Sequence, residues 1–518
     1  MEYNLVLGEV ARLAAVNFGD KPAFITQGQE VAFGQFNLRV NRLCHALAAL
    51  GLVKGDRVAI LSRNRCEYVE AYCVGKSGLV GMPLNWRLAP AELSTLLQDS
   101  EAKAIVADQH HAPLVEKLRD EAPELRHLIA LDDARPGWLS YRRLLAQSLE
   151  DEPPVAVVPQ DPLCLFYTSG TTGLPKGVVL THGGLLHNSL DVAQQTMRLT
   201  PQDLAVAAMP LFHVGGMWFH LFSSFLSGCT TVIEEGFEPR RTLQVLKQYQ
   251  ATNIHLVPTM IGALLDLPGV RDEPLEHLRL LYYAGSGIPE DILRRAMDVF
   301  QNSAFLQSYG STEGGVCTAL MPQDHLEAIN TPGREGLLHS CGRPLDDTAL
   351  MVMGPDNRQA APGEVGELTV KSPRRMQGYW RNPRADREAF VDGWLRTGDL
   401  AHLDGDGYVY IVGRKHDMIV TGGENVFPHE VENALYANPK IREAAVFGLP
   451  DPKWVEKVAA TVILREGCQA DEAEIIAACR ERLAGYKCPK VVMFSDSLPK
   501  NPAGKILKRH LRETYGGK

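Results

Sequence analysis

The pattern of apolar and polar positions changes character twice along the chain. Through roughly the first four hundred residues, helical periodicities alternate with short β-rich runs: RVAIL at 57–61, AIVA at 104–107, CLFY at 164–167, IHLV at 254–257 and LRLLYY at 278–283. Strands that alternate with helices, and that read as unbroken apolar runs, predict α/β layers with substantially parallel sheets. Between them, EDILRRAMDVF at 290–300 follows Pro289 and opens with two acids, which predicts a helix. From about residue 341 the runs become Pro- and Gly-punctuated (TALMVMGPDN, GEVGELTVKSP, GYVYIVGRKHDMIV), which predicts a smaller β-rich subdomain. The last hundred residues carry their own βαβ-like pattern, with a helix predicted over 471–484 and ended by Gly485. The predicted fold class is α/β: a large amino-terminal domain of layered αβ subdomains with a β-rich subdomain (1–413), a hinge at 414–417, and a small α+β carboxy-terminal domain (418–518).

One apolar run needs a decision. VGGMWFHLFSSFLSGCTTVI at 214–233 is uncharged and about as long as a bilayer is thick. Its glycines, hydroxyls and His220, and the β-like CTTVI that ends it, predict a buried helix followed by a strand.

Composition narrows the partners. The chain has 518 residues, more than one hydrophobic core usually supports. A net charge of -9 lacks the basic footprint of a nucleic-acid binder. Ten scattered cysteines show no C-x-x-C pair, so neither a zinc site nor a disulfide framework is expected, and a reducing cytoplasm fits. The opening MEYNLVLGEVARLAAV lacks the basic segment and cleavage site of a signal peptide, so no export is expected.

The chemistry concentrates in loops. YTSGTTGLPKGV at 167–178 offers the hydroxyls of Thr168, Ser169, Thr171 and Thr172, glycines Gly170 and Gly173 that let backbone N–H groups turn toward an anion, and the ammonium of Lys176. It is not the common nucleoside-triphosphate loop, because counting G-x-x-x-x-G-K-[ST] from Gly170 puts Pro175 where glycine is required. By composition alone a phosphate-binding loop and a plain surface loop both remain open. LDGDGY at 403–408 has the look of a calcium loop, but Tyr408 falls where a ligand is needed, so a tight β-turn is predicted.

YTSGTTGLPKGV resembles the phosphate loop of the acyl-adenylate-forming enzymes, the group that includes acyl-CoA synthetases, firefly luciferase and the adenylation domains of peptide synthetases. The other motifs of that family follow in order: PLFHVGGM, YAGSGIP, SYGSTEGG, WLRTGDLAHLDGDGYVYIVGRKHDMI, TGGENVFPHEVE and PKNPAGKILKRHLRE. The resemblance covers essentially the whole chain. It implies ATP, Mg²⁺ and coenzyme A as reactants or cofactors, with Lys505, Glu313, Thr168 and Lys176 as catalytic residues and Thr168 and Glu313 holding the metal. It implies a nucleotide site built from the 168–176 loop together with Gly285, Ser286, Gly287, Ser308, Tyr309, Gly310, Thr312, Asp399, Ile411 and Arg414, with Tyr309 on adenine and Asp399 and Arg414 on ribose. It implies an acyl pocket with His213, Trp218, His255, Gly315 and Val316 in its wall, and a mobile small domain pivoting near His416, where Asp or Lys is more usual. Gly422, Gly423 and Glu424 belong to the loop that this domain swings in for thioester formation. Lys487, Lys490 and Trp454 are weaker candidates for the nucleotide of coenzyme A.

What the resemblance implies is an ATP-dependent carboxylic acid:CoA ligase. GYWRNP, TGGENVFPHEVE and YKCPKVV look most like medium- and long-chain fatty acyl-CoA ligases, with benzoate- and cinnamate-type ligases and a stand-alone enzyme loading a carrier protein as alternatives. No Lys or Arg among the expected wall residues is available for a second carboxylate, so a monoacid is expected. Peripheral membrane contact and a homodimer are left open.

Overall fold

The computed structural model describes residues 6–132, 135–168, 175–273, 275–354, 357–421, 424–500 and 506–516. Two large sheets dominate the first four hundred residues. In the nine-stranded sheet, Ala304–Ser311, Leu280–Ala284, Asn253–Leu256, Leu204–Ala207, Thr230–Ile233 and Pro22–Thr26 lie side by side and parallel, with antiparallel strands at both edges. In the eight-stranded sheet, Pro162–Thr168, Val80–Pro83, Arg57–Leu61, Ala104–Ala107 and His127–Ala130 form the parallel centre. The largest apolar cluster draws on both sheets and on the helices Phe33–Ala49 and His182–Asp191. This is why the central strands are apolar without interruption: both of their faces are covered.

Residues 214–233 form a helical segment with one wide turn at Met217–Leu221, then the strand Thr230–Ile233. Trp218, Phe222 and Phe225 from it lie in the main core. Among the described residues no helix is long and apolar enough to cross a membrane. The β-rich part is a five-stranded antiparallel sheet including Ala349–Met353, Gly366–Lys371, Trp394–Leu403 and Val409–Arg414. LDGDGY closes the last two strands as a turn, with Gly407 at φ +81 and its N–H donating to Asp404 O at 3.2 Å.

The last hundred residues fold around the antiparallel pair Ile441–Asp451 and Val455–Leu464, with Val491–Phe494 parallel to the latter after a helical crossover. That helix is shorter than expected. It runs Glu472–Arg480, capped by Asp471, whose carboxylate accepts from Glu474 N–H at 2.8 Å. The N–H groups of Arg482 and Leu483 both turn back to Cys479 O, tightening the chain so that Gly485 stops nothing. All ten cysteines are free, and all but Cys468 are buried.

Buried histidines make the fold acid-sensitive. Desolvation holds His182, His220 and His325 down at about 4 and His255 at about 3. In the unfolded chain each titrates near 6.5, so between these values the unfolded state takes up protons that the fold refuses, and stability is lost as pH falls. The loss begins below about 6.5, reaches roughly 3 kcal/mol per histidine and levels off near 3 to 4. Urea midpoints at pH 7 and pH 4.5 should differ strongly; equal midpoints would show that these rings are not held neutral.

Candidate functional site

The strands Pro162–Thr168 and Lys176–Thr181 are antiparallel, and Thr168 pairs directly with Lys176. The turn between them, with Ser169, Gly170, Thr171, Thr172 and Gly173, lies outside the described residues. What is described is where its two ends stand: Thr168 against Glu313, and Lys176 over Tyr379. The Thr168 hydroxyl donates to Glu313 Oε1 at 3.2 Å, and the Lys176 ammonium lies 5.1 Å from the ring centre of Tyr379. The Tyr379 hydroxyl in turn reaches Glu313 Oε1 at 3.5 Å. Burial, reinforced by the Glu313 charge, pushes that phenol well above its ordinary range. Sequence reasoning quoted GYWRNP without assigning Tyr379 a place; its position in a short strand paired with Lys176–Thr181 carries it to the loop. Glu313 is fixed from behind, its backbone oxygen accepting from Met376 N–H at 2.7 Å.

Glu313 and Thr312 sit at the tip of the hairpin formed by Ala304–Ser311 and Gly315–Leu320. The register slips between Tyr309 and Gly310, and there the two strands come so close that a Cβ on Gly310 would stand 2.2 Å from Gly315 O. Gly310→Ala therefore has to open the hairpin that carries Glu313. We expect a loss of about 2–4 kcal/mol in stability, read by urea unfolding. Unchanged stability would show that the approach is not as tight. Ser308, in the same strand, shares a 2.5 Å hydrogen bond with the Tyr282 hydroxyl.

Tyr309 joins this hairpin to the β-rich sheet. Its hydroxyl donates to Asp399 Oδ2 at 2.6 Å, and Arg414 Nε pairs with Asp399 Oδ1 at 2.8 Å. Asp399 and Arg414 are partners across adjacent strands, which places the guanidinium beside the carboxylate, while Ile411 lies partly buried on the same strand. Each oxygen of the buried Asp399 carboxylate keeps a second lone pair for an incoming hydroxyl. Burial, with the Asp399 charge adding to it, holds the Tyr309 phenol protonated.

Gly285, Ser286 and Gly287 are exposed at the end of a neighbouring strand. Gly285 takes φ +92, a conformation glycine adopts without strain. The small domain reaches this loop: a Cβ on Gly287 would be 3.4 Å from His429 Cε1, and Arg465 lies 3.6 Å from Asp291. His416 is exposed in the turn 414–417, which closes with Asp417 N–H on Arg414 O at 3.0 Å. Asp417 also pairs with Arg512 at 2.9 Å. Gly422, Gly423 and Lys505 lie outside the described residues. Glu424 is exposed and pairs with Thr421 on the adjacent antiparallel strand.

The expected acyl wall divides. His213 caps the helical segment, its ring 4.6 Å from Phe212. Trp218 is fully buried, edge-on to Tyr72 at 6.0 Å. His255 is buried and stacked on Tyr282 at 4.1 Å. Gly315 takes φ +70, and a Cβ there would lie 2.8 Å from Arg374 Cβ and 2.9 Å from Asn188 Oδ1; buried Val316 donates its N–H to that same Asn188 oxygen. Arg374 is the nearby cation the sequence did not reveal. Its guanidinium is fully engaged, with Asp191 at 2.6 Å, Thr348, Ser372 and the Asp346 carbonyl. In the small domain Lys487 pairs with Glu430 at 2.5 Å, Lys490 donates to Gly485 O at 2.7 Å, and Trp454 is 44% exposed.

A hydroxyl facing a carboxylate at the end of one strand, a lysine at the start of its partner, a second carboxylate–arginine pair reached from the same carboxylate-bearing hairpin, and a small domain close to Gly287 are the setting of a nucleotide-handling protein of the adenylate-forming type. The chain belongs to the AMP-binding enzyme family, whose profile matches residues 11–380, followed by that of the AMP-binding enzyme C-terminal domain over 430–505. It is 38% identical over 492 residues to a feruloyl-CoA synthase of an Amycolatopsis species, covering 94% of this chain and 95% of the relative. It is 36% identical over 501 residues to the fatty acid–[acyl-carrier-protein] ligase ScoC of Streptomyces coeruleorubidus, covering 96% and 94%. Among solved structures, the anthranilate CoA ligase AuaEII in complex with anthranoyl-AMP superimposes with a TM-score of 0.91 at 27% identity, covering 99% of this chain and 98% of that one.

Proposed function

We propose that the protein is an AMP-forming acyl-CoA synthetase acting on a hydrophobic monocarboxylic acid, with ATP, Mg²⁺ and coenzyme A. The observation that carries this reading is that Thr168 and Tyr379 both reach Glu313, with Lys176 over the Tyr379 ring, on the hairpin that also carries Tyr309 to Asp399 and Arg414.

A carboxylate is a poor acyl donor because its leaving group would be an oxide. Attack of a carboxylate oxygen on the α-phosphorus of ATP, with the bond to pyrophosphate breaking, replaces that oxide by AMP. Attack of the coenzyme A thiol on the acyl carbon then expels AMP. In the first step two anions meet, so the residues must meet growing negative charge with fixed positive charge and donors. Lys176 and the hydroxyls of the 168–173 loop serve the departing phosphates, and Lys505 serves the attacking side. Asp399 and Arg414 hold the ribose, and Tyr309 lies against the base. The Glu313 carboxylate and Thr168 hydroxyl are hard oxygen donors 3.2 Å apart, which suits a magnesium ion carried in on phosphates; among the described residues no group of three or more His, Cys, Asp or Glu competes for it. When bound, that ion would neutralise phosphate charge.

The small domain, 418–518, pivots at 414–417 around the exposed His416, exchanging Lys505 for the Gly422–Gly423 loop between half-reactions. The acid is a monoacid because the guanidinium of Arg374 is already consumed by the protein. The similar proteins act on both feruloyl and fatty acyl groups and on both CoA and carrier acceptors, so the acid and the acceptor are the open choices. The free thiols suit a cytoplasmic enzyme.

The test is a panel of acids with ATP and either coenzyme A or a phosphopantetheine carrier, reading AMP. Acid-dependent AMP release with coenzyme A is expected; release with the carrier alone reassigns the acceptor. If straight-chain acids are the substrates, each added methylene raises kcat/KM about fourfold, from about 0.8 kcal/mol per CH₂, until the pocket ends.

A further inference from the structure

Along the strand Asn253–Leu256, Ile254 and Leu256 belong to one apolar cluster, so His255 faces the opposite side of the sheet, toward the helical segment that starts after His213. It is in register with Tyr282 on the next parallel strand, and the two rings stack at 4.1 Å and 16°. The hydroxyl of Tyr282 is spent on Ser308, the serine that opens SYGSTEGG. On the other flank His220 meets His255 edge-on at 5.8 Å and spends its own Nε2 on Asn253 at 2.9 Å. Above the ring stands Gly215, where a Cβ would be 3.6 Å from His255 Cε1.

His255 is 1% exposed, and among the described residues neither of its ring nitrogens has a hydrogen-bond partner. The Gly215 backbone comes near without reaching hydrogen-bond geometry. Burial, helped by the His220 ring, keeps the imidazole neutral, so it carries one N–H donor and one bare nitrogen, both unmade. Leaving such groups unmade in an interior is costly, and Tyr282 and His220 beside it avoid that cost. The position lies toward the carboxyl ends of parallel strands, where sheets of this kind receive ligands.

We propose that His255 reads the far end of the acyl substrate, and that the substrate is an aromatic monoacid bearing a ring hydroxyl. This rests on the ligase reading and specifies its acid. A hydroxyl suits whichever nitrogen faces it, because it donates to the bare nitrogen or accepts from the N–H. An alkyl chain brings only C–H groups to both. A flat ring suits the aromatic surroundings of His255, which is stacked on Tyr282 and met edge-on by His220, and Gly215 brings no side chain to that approach.

The experiment compares 4- and 3-hydroxycinnamate with cinnamate and decanoate, measuring kcat/KM for AMP release with ATP and coenzyme A. The wild-type enzyme is expected to prefer one hydroxylated acid over cinnamate by roughly a hundredfold or more, since a site built to bond a hydroxyl rejects the analogue lacking it. In His255→Leu that preference falls to within about threefold, with KM for ATP unchanged, whereas His255→Gln, which keeps a donor and an acceptor, retains about tenfold. The wild-type comparison and the Gln variant keep the test intact should the Leu variant fail to fold. Equal preference in wild type and variants, or a wild type that ligates decanoate and discriminates against every ring, overturns the assignment while leaving the ligase reading standing. Absence of AMP release with every acid overturns both.

Discussion

Replacing Lys505 by alanine slows acid-dependent exchange of labelled pyrophosphate into ATP by two to three orders of magnitude, while coenzyme A still captures a supplied acyl adenylate at close to the wild-type rate. The size is that of losing one preorganised donor where charge develops. The asymmetry follows from the two transition states. In the first, a carboxylate approaches a phosphate and needs a cation between them. In the second, a thiol attacks an anhydride whose leaving group is already stable. Lys505 lies in PKNPAGKILKRHLRE, before the helix Lys508–Tyr515. The helix is tied to its domain by Lys508–Glu432 at 2.7 Å and to the turn 414–417 by Arg512–Asp417 at 2.9 Å. Equal loss in both half-reactions would show that one arrangement of the domains serves both.

Glu313→Gln lowers kcat by roughly a hundredfold and raises the magnesium concentration needed for half-maximal rate. The substitution keeps the shape and leaves an oxygen to accept from Thr168, so the hairpin stays closed and the loss is of charge alone. Part of the rate returns at high magnesium. A variant within a factor of two of wild type at every magnesium concentration would remove Glu313 from the metal and leave it as the anchor for Thr168 and Tyr379.

Much of this protein is legible without coordinates. Central parallel strands are apolar on both faces, so they stand out as unbroken runs, and RVAIL and AIVA are strands over the same residues as expected, Arg57–Leu61 and Ala104–Ala107. LDGDGY is a turn, as its sixth residue, Tyr408, foretold by standing where a calcium loop needs a ligand. The helix expected over 471–484 ends earlier, at Arg480, because Gly485 is not its stop. Helix ends are set by where backbone N–H groups find partners, and here two of them find Cys479 O, six residues before that glycine. At the site, the loops rich in glycine, hydroxyls and charge announce themselves. Tyr379 does not, because a tyrosine in a short strand has no local signature, and its meaning comes from the strand beside it. Arg374 likewise reads as one of two arginines in SPRRM; only packing reveals that it is buried and fully paired, and so closed to a second carboxylate.

The order of the motifs and the side chains they carry were determined by the sequence alone: a loop of glycines, hydroxyls and one lysine, carboxylates at 313 and 399, a lysine on a terminal segment, and enough alternating apolar pattern to build layered sheets. The tertiary structure alone decided which of these groups touch. Thr168 and Glu313 stand 145 residues apart in the chain and 3.2 Å apart in space, and Tyr309 reaches Asp399 across 90 residues. It also left His255 as a buried ring with no hydrogen-bond partner among the described residues. The physical reason is that periodicity encodes which face of an element is apolar, whereas contact between distant elements depends on register and packing, which no local stretch of chain specifies.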